Sequence, residues 1–319
     1  MKFHPLLKEK LWGGDKLQKI CNINAAKEAR IGEAWLLSGV KGSETIVSNG
    51  WLAGNDLAEL TEVFMGDLVG DKVFDKCKNQ FPLLFKLIDA CEDLSVQVHP
   101  DDALARQRGL ENGKTEMWYI MEAEKEAKLI AGFNRTLNKD SFTKLLKQNR
   151  LETVLNHENV AHGDVFFMSA GRVHAVGKGI LLAEIQQSSD TTYRIYDWNR
   201  TDDDGKPRPL HIAESLEAID FQLQKDYKPR YSVEENKTSP IVQSLYFTTN
   251  ILYANAPVRK NFADLDSFVV YLCVEGSFSV SYDDIMTTVH VGETLLIPNV
   301  VTEILIVPAP EVKVLEVFL

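Results

Sequence analysis

Cysteine is scarce in this sequence, and the cysteines present lack the spacing of a metal site. The 319 residues contain four cysteines, and no two of them form a C-x-x-C pair. They are Cys21, Cys77, Cys91 and Cys273. This distribution argues against a disulfide framework and against a thiolate zinc site of the usual spacing. We therefore expect four reduced thiols.

Long hydrophobic runs are also missing. No apolar stretch reaches the roughly 20 residues that a membrane-spanning helix needs. The N-terminal segment MKFHPLLKEKLWGG lacks the sustained apolar core of a signal peptide. We therefore expect a cytoplasmic protein without a membrane partner.

Positive charge is in deficit. The chain has 35 Lys and Arg residues against 46 Asp and Glu residues, which gives a formal net charge of −11. This balance argues against a broad surface for the phosphate backbone of nucleic acid, so we expect no nucleic-acid partner. A small anionic ligand is still compatible with this charge, because it needs only a local group of cations.

The hydrophobic pattern predicts a mainly β protein. Short apolar segments bounded by Gly, Asn or Pro are typical of strands. The clearest are Ile31–Gly39, Glu44–Ser48, Phe81–Ile88, and the segments GILLAEIQQ, TTYRIYDW, SFVVYLCVEG, FSVSY and ETLLIP. The length favours two domains, and the polar, proline-bearing segment Lys225–Pro240 is the best linker candidate.

Helical spacing of apolar residues is limited to a few segments. The predicted helices are Asn55–Leu68, with Asn55 or Asp56 as its N-cap, Asp101–Leu110, Lys139–His157 and Ile212–Ile219. A break at Gln148–Asn149 predicts that Lys139–His157 forms two short helices. The acidic segment Asp202–Pro209 is predicted to be a loop.

The segment LSVQVHPDD, Leu94–Asp102, carries the most specific signal. Read as a strand, it places Ser95, Gln97 and His99 on the face opposite its apolar residues. A solvated strand face usually carries Thr, Lys or Glu. An amide and an imidazole two residues apart instead indicate a pair of metal ligands directed into a cavity.

Two later segments complete a possible ligand set. In KTEMWY, alternation places Lys114, Glu116 and Trp118 on one face, and in VHAV the single imidazole of His174 stands in an apolar strand. Taken alone, the first is compatible with a solvated ion pair and the second with a structural histidine. Together with the earlier strand they give two imidazoles, one carboxylate and one amide. Such nitrogen and oxygen ligands suit zinc, iron, cobalt or manganese.

Two further charged residues follow on neighbouring strands. Glu184 lies in AEIQ, and Arg194 follows ten residues later in YRIYDW, a spacing typical of two strands joined by a turn. They are compatible with a surface ion pair. Beside a metal site they are better interpreted as an acid–base group and an anion clamp.

A faint internal repeat links the two halves of the chain. Gly163-Asp164 begins a stretch in which His174 follows some ten residues later, and Gly292-Glu293 begins a similar stretch with Glu303 at the matching position. Two related β units, only one of which keeps its ligand, would explain this pattern.

These motifs together resemble those of the type I mannose-6-phosphate isomerases in their short bacterial form, a family of zinc-dependent cupins. The matching segments are Trp12-Gly13-Gly14, Gly32-Glu33-Ala34-Trp35, Phe81–Asp102, Gly113–Tyr119 and Ala170–Arg200, in the order of the family. They span about the first two thirds of the chain. Ser169 departs from the family pattern, because a proline usually stands at that turn.

The resemblance implies a fold, a reaction and a site. The fold would be two cupin domains of the jelly-roll β-sandwich type, a catalytic domain at 1–230 with a helical insertion at about 139–158 and a degenerate domain at 240–319. One zinc ion would be bound by Gln97, His99, Glu116 and His174. Mannose 6-phosphate and fructose 6-phosphate would be interconverted through an enediol, with Glu184, Lys114 and Arg194 as catalytic residues. Ser95 and Arg200 match phosphate contacts of the longer family members.

Two other functions are compatible with parts of this pattern. Two His and one Glu also form the facial triad of iron dioxygenases, but the cations Lys114, Arg194 and Arg200 favour a phosphorylated substrate. A non-catalytic sugar-binding protein of the same fold would be expected to have lost a ligand or a charged partner. The sequence does not indicate the oligomeric state.

Overall fold

The computed structural model describes residues 1–22, 29–201, 205–224, 226–283 and 285–319. The protein is mainly β, as predicted, with 43% of the described residues in strands and 17% in helices. The strands are β1 Phe3–His4, β2 Leu6–Gly14, β3 Ile31–Ser38, β4 Ile46–Val47, β5 Leu83–Ala90, β6 Val96–Val98, β7 Glu116–Ala123, β8 Lys128–Phe133, β9 Leu155–Asn159, β10 Val165–Met168, β11 His174–Ala175, β12 Ile180–Gln187, β13 Tyr193–Tyr196, β14 Lys237–Gln243, β15 Thr248–Ala254, β16 Val258–Asn261, β17 Val269–Tyr282, β18 Ile285–His290, β19 Thr294–Ile297 and β20 Glu303–Phe318. The helices are α1 Lys16–Ile20, α2 Leu57–Val69, α3 Asp71–Cys77, α4 Asp102–Gln107, α5 Lys139–Lys147 and α6 Ile212–Ala218, with a 3-10 turn at Leu151–Val154.

Two sheets form a first β-sandwich, which contains all the predicted site residues. One sheet has the order β10-β7-β12-β5-β2-β3, and the other has the order β13-β6-β11-β8-β9. Alternation directs one face of each sheet inward, where a shared apolar core includes Trp118, Leu182 and Leu129. Two packed antiparallel sheets agree with the expected cupin-type sandwich.

Helices cover the outer face of the second of these sheets. Phe142 and Leu145 of α5 pack with Val96, Val98 and Phe133 of the strands beneath them. The predicted break after this helix is present, because α5 ends at Lys147. The second predicted helix is wrong, since only one 3-10 turn follows before the chain pairs with β8 as strand β9.

The other helix predictions are confirmed within a few residues. Asp56 caps α2 in a capping box with Glu59, and α4 and α6 lie within their predicted segments. None of the helices in the described ranges combines the length and apolar character needed to cross a bilayer. The prediction of a loop at Asp202–Pro209 falls partly on residues 202–204, which lie outside the described residues.

A third sheet forms the C-terminal part of the chain. Its two long strands, β17 and β20, each take part in two layers: β20 pairs first with β16 and then with β15, and β17 pairs first with β19 and then with β18. An apolar core fills the space between these layers. We call this unit the second sandwich.

The predicted linker, Lys225–Pro240, ends too late, because strand β14 already begins at Lys237. Pro240 is tolerated within β14 because this strand lies at the edge of the sheet and its pairing with β15 is irregular at that residue.

Candidate metal centre and active site

Three candidate metal ligands converge inside the first sandwich. One ligand atom each from His99, Glu116 and His174 lies within 4.8 Å of the others, and all three side chains are buried. His99 follows β6, Glu116 begins β7, and His174 begins β11 directly opposite Gln97. The register of these short strands therefore brings together residues that are far apart in sequence.

Both imidazoles are oriented by backbone carbonyl groups. Nδ1 of His99 donates to the carbonyl oxygen of Thr191 at 2.9 Å, and Nδ1 of His174 donates to that of Arg172 at 2.9 Å. Because a carbonyl only accepts, these bonds fix the tautomer in which Nε2 carries a lone pair. Histidines that bind metals are usually oriented in this way, by a group that accepts a hydrogen bond from the other ring nitrogen.

Both imidazoles are neutral at ordinary pH. Burial, and next the positive charge of Lys114, lowers the pKa of His174 to about 3. The same two causes, in the same order, place the pKa of His99 well below its usual value. Neither ring therefore carries a positive charge that would repel a cation.

The carboxylate of Glu116 faces both Nε2 atoms. Its Oε1 lies 3.2 Å from Nε2 of His174 and its Oε2 lies 3.5 Å from Nε2 of His99, yet neither oxygen has a hydrogen bond. The ammonium of Lys114 approaches Oε2 at 3.2 Å. Burial, and next the charge of Glu184, raises the pKa of Glu116 to about 7. These donors converge in a buried space without hydrogen bonds to one another, an arrangement that fits a divalent cation.

Gln97 lies at the edge of this group. Its Nε2 is 3.3 Å from Nε2 of His174. A half-turn of the amide exchanges its nitrogen and oxygen at almost no steric cost, so the same side chain can present Oε1 as a neutral ligand. The predicted amide is thus beside the predicted imidazoles.

A cleft of about 270 Å³ opens beside these ligands. Five of the predicted site residues lie on its wall: Ser95, Gln97, Lys114, Glu184 and Arg194. A larger cavity, of about 420 Å³ beside Trp198, contains none of the predicted site residues. The size of a cavity therefore does not identify the site. The buried ionisable groups beside the smaller cleft identify it.

Glu184 is fixed by two partners in the cleft. Its Oε2 accepts a hydrogen bond from Nε1 of Trp118 at 2.9 Å, and its Oε1 lies 3.1 Å from Nζ of Lys86. Burial acts to raise the pKa of Glu184, but the charges of Lys86 and then Lys114 outweigh it, and the net shift is downward. Glu184 is therefore an oriented carboxylate rather than a carboxylic acid.

The sequence interpretation did not include Lys86 or Glu33, although both line the cleft. The ammonium of Lys86 is buried and lies over the ring of Trp35 at 5.1 Å. Burial acts to raise the pKa of Glu33, but Lys86 and then Lys10 lower it to about 2. The signal that could have found Lys86 is a single lysine in the middle of the apolar strand FPLLFKLI, since unpaired lysine is almost never buried.

The expectation that Glu184 and Arg194 lie on neighbouring strands joined by a turn is wrong, because the two strands do not pair. Strand β12 belongs to the first sheet of the sandwich and β13 to the second. The residues between them cross from sheet to sheet, and the carbonyl of Thr191, which orients His99, lies in this crossing. Both charged residues nevertheless reach the same cleft from opposite walls.

The arginines differ in position. Arg194 donates through Nη1 to the carbonyl of Pro209 at 3.0 Å, and its buried Nε has no hydrogen-bond partner among the described residues. Arg208, which the sequence interpretation missed, lines the cleft and donates through Nε to Asp197 at 2.7 Å. Arg200 donates to Asp197 and to the carbonyl of Asp93, each at 2.6 Å, and does not line the cleft.

The chain resembles known proteins over most of its length. The family profile described as "Phosphomannose isomerase type I, catalytic domain" matches residues 1–148. The chain is 34% identical over 304 residues to the mannose-6-phosphate isomerase ManA of Bacillus subtilis, covering 93% of this chain and 92% of ManA. It is 33% identical over 295 residues to the mannose-6-phosphate isomerase of Streptococcus mutans, covering 92% of this chain and 90% of that protein.

The three-dimensional comparison points to the same family. The crystal structure of the mannose 6-phosphate isomerase from Bacillus subtilis matches with a TM-score of 0.88 at 30% identity, covering 99% of this chain and 98% of that one. Similarity of this identity and coverage is found among members of one family. The chain belongs to the type I phosphomannose isomerases.

Proposed function

We propose that this enzyme interconverts mannose 6-phosphate and fructose 6-phosphate by moving a proton between C1 and C2 through an enediol. The observation that carries the proposal is the cleft itself, in which oriented carboxylate, ammonium and guanidinium groups lie beside three converging metal ligands. Isomerisation of a sugar phosphate requires a base that removes a proton from carbon and cations that bind the anionic oxygens.

The proposed cofactor is one zinc ion per chain, held by Gln97, His99, Glu116 and His174. The unbonded oxygens of Glu116 and the two neutral imidazoles support this donor set. When bound, the ion would supply the Lewis acidity that polarises the oxygen next to the reacting carbons.

Glu184 and Lys114 are the candidates for the group that moves the proton. Glu184 is ionised and is held in one orientation by Trp118 and Lys86. The ammonium of Lys114 donates to Nε2 of His99 at 3.2 Å, which places it between the metal ligands and the cleft. A positioned acid–base group contributes roughly 10²–10⁴-fold to the rate. Arg194 would stabilise the developing enediolate with its fixed charge.

For the substrate phosphate, we propose Ser95 and Arg208 as direct contacts. Both line the cleft, and Asp197 holds the guanidinium of Arg208 in place. Arg200 would then act indirectly, because its two hydrogen bonds fix Asp197 and the backbone at Asp93.

We further propose two domains, residues 1–230 for catalysis and 240–319 as a degenerate cupin. The cytoplasm is the proposed location, since Cys21, Cys77, Cys91 and Cys273 are free thiols.

A coupled assay tests the function. Mannose 6-phosphate is supplied, and formation of fructose 6-phosphate is followed before chelation, after chelation and after zinc is restored. We expect turnover that chelation removes and zinc restores. Absence of fructose 6-phosphate from the untreated, metal-loaded protein would contradict the proposal.

A further inference from the structure

The second sandwich repeats a row of residues of which two line the catalytic cleft. In the first sandwich, Trp118, Glu184 and Lys86 stand side by side on β7, β12 and β5. In the second sandwich, Tyr271, Glu316 and Asn250 stand side by side on β17, β20 and β15. In both rows the carboxylate is central and buried.

The hydrogen bonds within the two rows also correspond. Trp118 donates to Glu184 at 2.9 Å, and Oη of Tyr271 donates to Glu316 at 2.6 Å. On the other side, Lys86 lies 3.1 Å from Glu184, and Nδ2 of Asn250 donates to Glu316 at 3.3 Å. The strand next to each row corresponds as well: β10 pairs with β7 in the first sandwich, and β19 pairs with β17 in the second.

A cavity of about 430 Å³ opens at this second row. Lys260 enters it from β16 and lies 2.6 Å from Glu316, and its ammonium also donates to Thr238 at 2.7 Å. Phe262 and Phe318 supply apolar surface on the same wall. Five strands thus direct one polar side chain each to a single point, beside aromatic rings. Burying an ion pair there gains little stability over apolar residues of similar volume, whereas a concave site with a few convergent polar groups is typical of ligand binding.

The differences between the cavities define the ligand. Val269 stands two residues before Tyr271, where the first sandwich has Glu116 two residues before Trp118, so a central metal ligand is replaced by an apolar side chain. Five cationic side chains and three carboxylates line the first cleft; in the part of the chain that the structure describes, Lys260 and Glu316 are the charged groups lining the second. A cavity whose two charges cancel favours an uncharged ligand over a phosphorylated one.

We propose that the second cavity binds a neutral monosaccharide. The hydroxyl groups of such a ligand both donate and accept, which suits Glu316, Asn250 and the third N–H of Lys260, and its apolar ring face suits Phe262 and Phe318. The choice of a sugar, rather than another small polar molecule, rests on the function proposed for the matching row of the first cleft.

Methyl NMR on the full-length, zinc-loaded protein tests this proposal, with D-mannose as the probe. The reporter for the second cavity is the methyl signal of Leu265, and the reporter for the catalytic cleft is that of Leu94. We expect D-mannose to shift the Leu265 signal saturably, with a dissociation constant of roughly 1–10 mM. Mannose 6-phosphate should shift the Leu94 signal and leave Leu265 unchanged.

A paired substitution supplies the matched control. Lys260→Met combined with Glu316→Leu removes both charges together, so that no unpaired charge stays buried. In this variant the dissociation constant for D-mannose, measured from the Leu265 methyl shift, should rise at least tenfold. Its isomerase turnover should stay unchanged. A Leu265 signal that does not move up to roughly 100 mM mannose, or that moves equally in the double variant, would overturn the proposal. The Leu94 response to mannose 6-phosphate reports separately on the function proposed for the first cleft.

Discussion

The two sandwiches share a polar row but not a reactive centre. In the first, Glu184 is flanked by a lysine and lines a cleft beside three buried metal-ligand candidates. In the second, Glu316 is flanked by an asparagine and a tyrosine, and the position matching Glu116 is Val269. The difference indicates that the sandwich and its central carboxylate are a general scaffold. The chemistry comes from the residues added to it.

The first way to break this comparison is to remove a proposed metal ligand. His174→Ala should lower metal content to near zero and turnover by at least roughly 10⁴-fold, because Lewis acidity is worth several kcal/mol. The matched control is Glu303→Ala, at the corresponding position of the internal repeat, where the side chain is exposed and pairs with Arg259. Metal analysis and turnover check both variants. Full metal content in His174→Ala would refute the ligand assignment.

The second test compares the two central carboxylates. The group that moves the proton is identified by two separate variants, Glu184→Gln and Lys114→Met. At least one of them should lower kcat by roughly 10²–10⁴-fold. Glu316→Gln should leave kcat unchanged, since Glu316 lies in the other sandwich. If neither catalytic-cleft change lowers kcat by more than a few-fold, the assignment of both residues is wrong.

The third test separates the arginines around Asp197. Arg208→Ala should lower kcat/KM for mannose 6-phosphate by roughly 10–100-fold, as expected for loss of one hydrogen-bonded charge at the phosphate. Arg200→Ala should have a smaller effect, because its guanidinium contacts Asp197 and the backbone rather than the cleft. Equal losses, or a larger loss for Arg200→Ala, would reverse the assignment.

The fourth test concerns the pH dependence of metal binding. In the metal-free chain the pKa of Glu116 is raised to about 7, while the pKa of His174 is lowered to about 3 and that of His99 is also lowered. Below about pH 7 the metal must therefore displace one proton, from Glu116, and its affinity should fall by about tenfold per pH unit. Competition with a chelator between pH 7.5 and 5.5 measures this slope. A slope of two or three protons would show that the imidazoles also titrate.

Alternation within short segments pointed to residues that the structure brings together. His99, Glu116 and His174 converge, and Gln97 lies beside His174. The signal at His174 was a single imidazole in an apolar segment, so its inclusion depended on the other candidates. The helix at Leu57–Val69 was equally predictable, because its cap and apolar spacing are local.

What the sequence did not reveal depends on pairing between distant strands. Lys86 stands in an apolar strand, and its buried position becomes understandable only when Glu184 is seen beside it. The segment between β12 and β13 was interpreted as a turn between neighbouring strands, because the length of a loop does not show which sheet the next strand joins. Glu316 has no local motif either, and its correspondence to Glu184 emerges from strand register alone.

Titration of the chelator-treated protein with zinc tests the central claim most directly. Zinc is added stepwise, and the formation of fructose 6-phosphate from mannose 6-phosphate is measured at each step. We expect activity to rise linearly and to reach its plateau at one zinc per chain, because the described residues bring one group of candidate ligands together, in the first sandwich. Activity that is complete without added metal, or a plateau at two ions per chain, would contradict it.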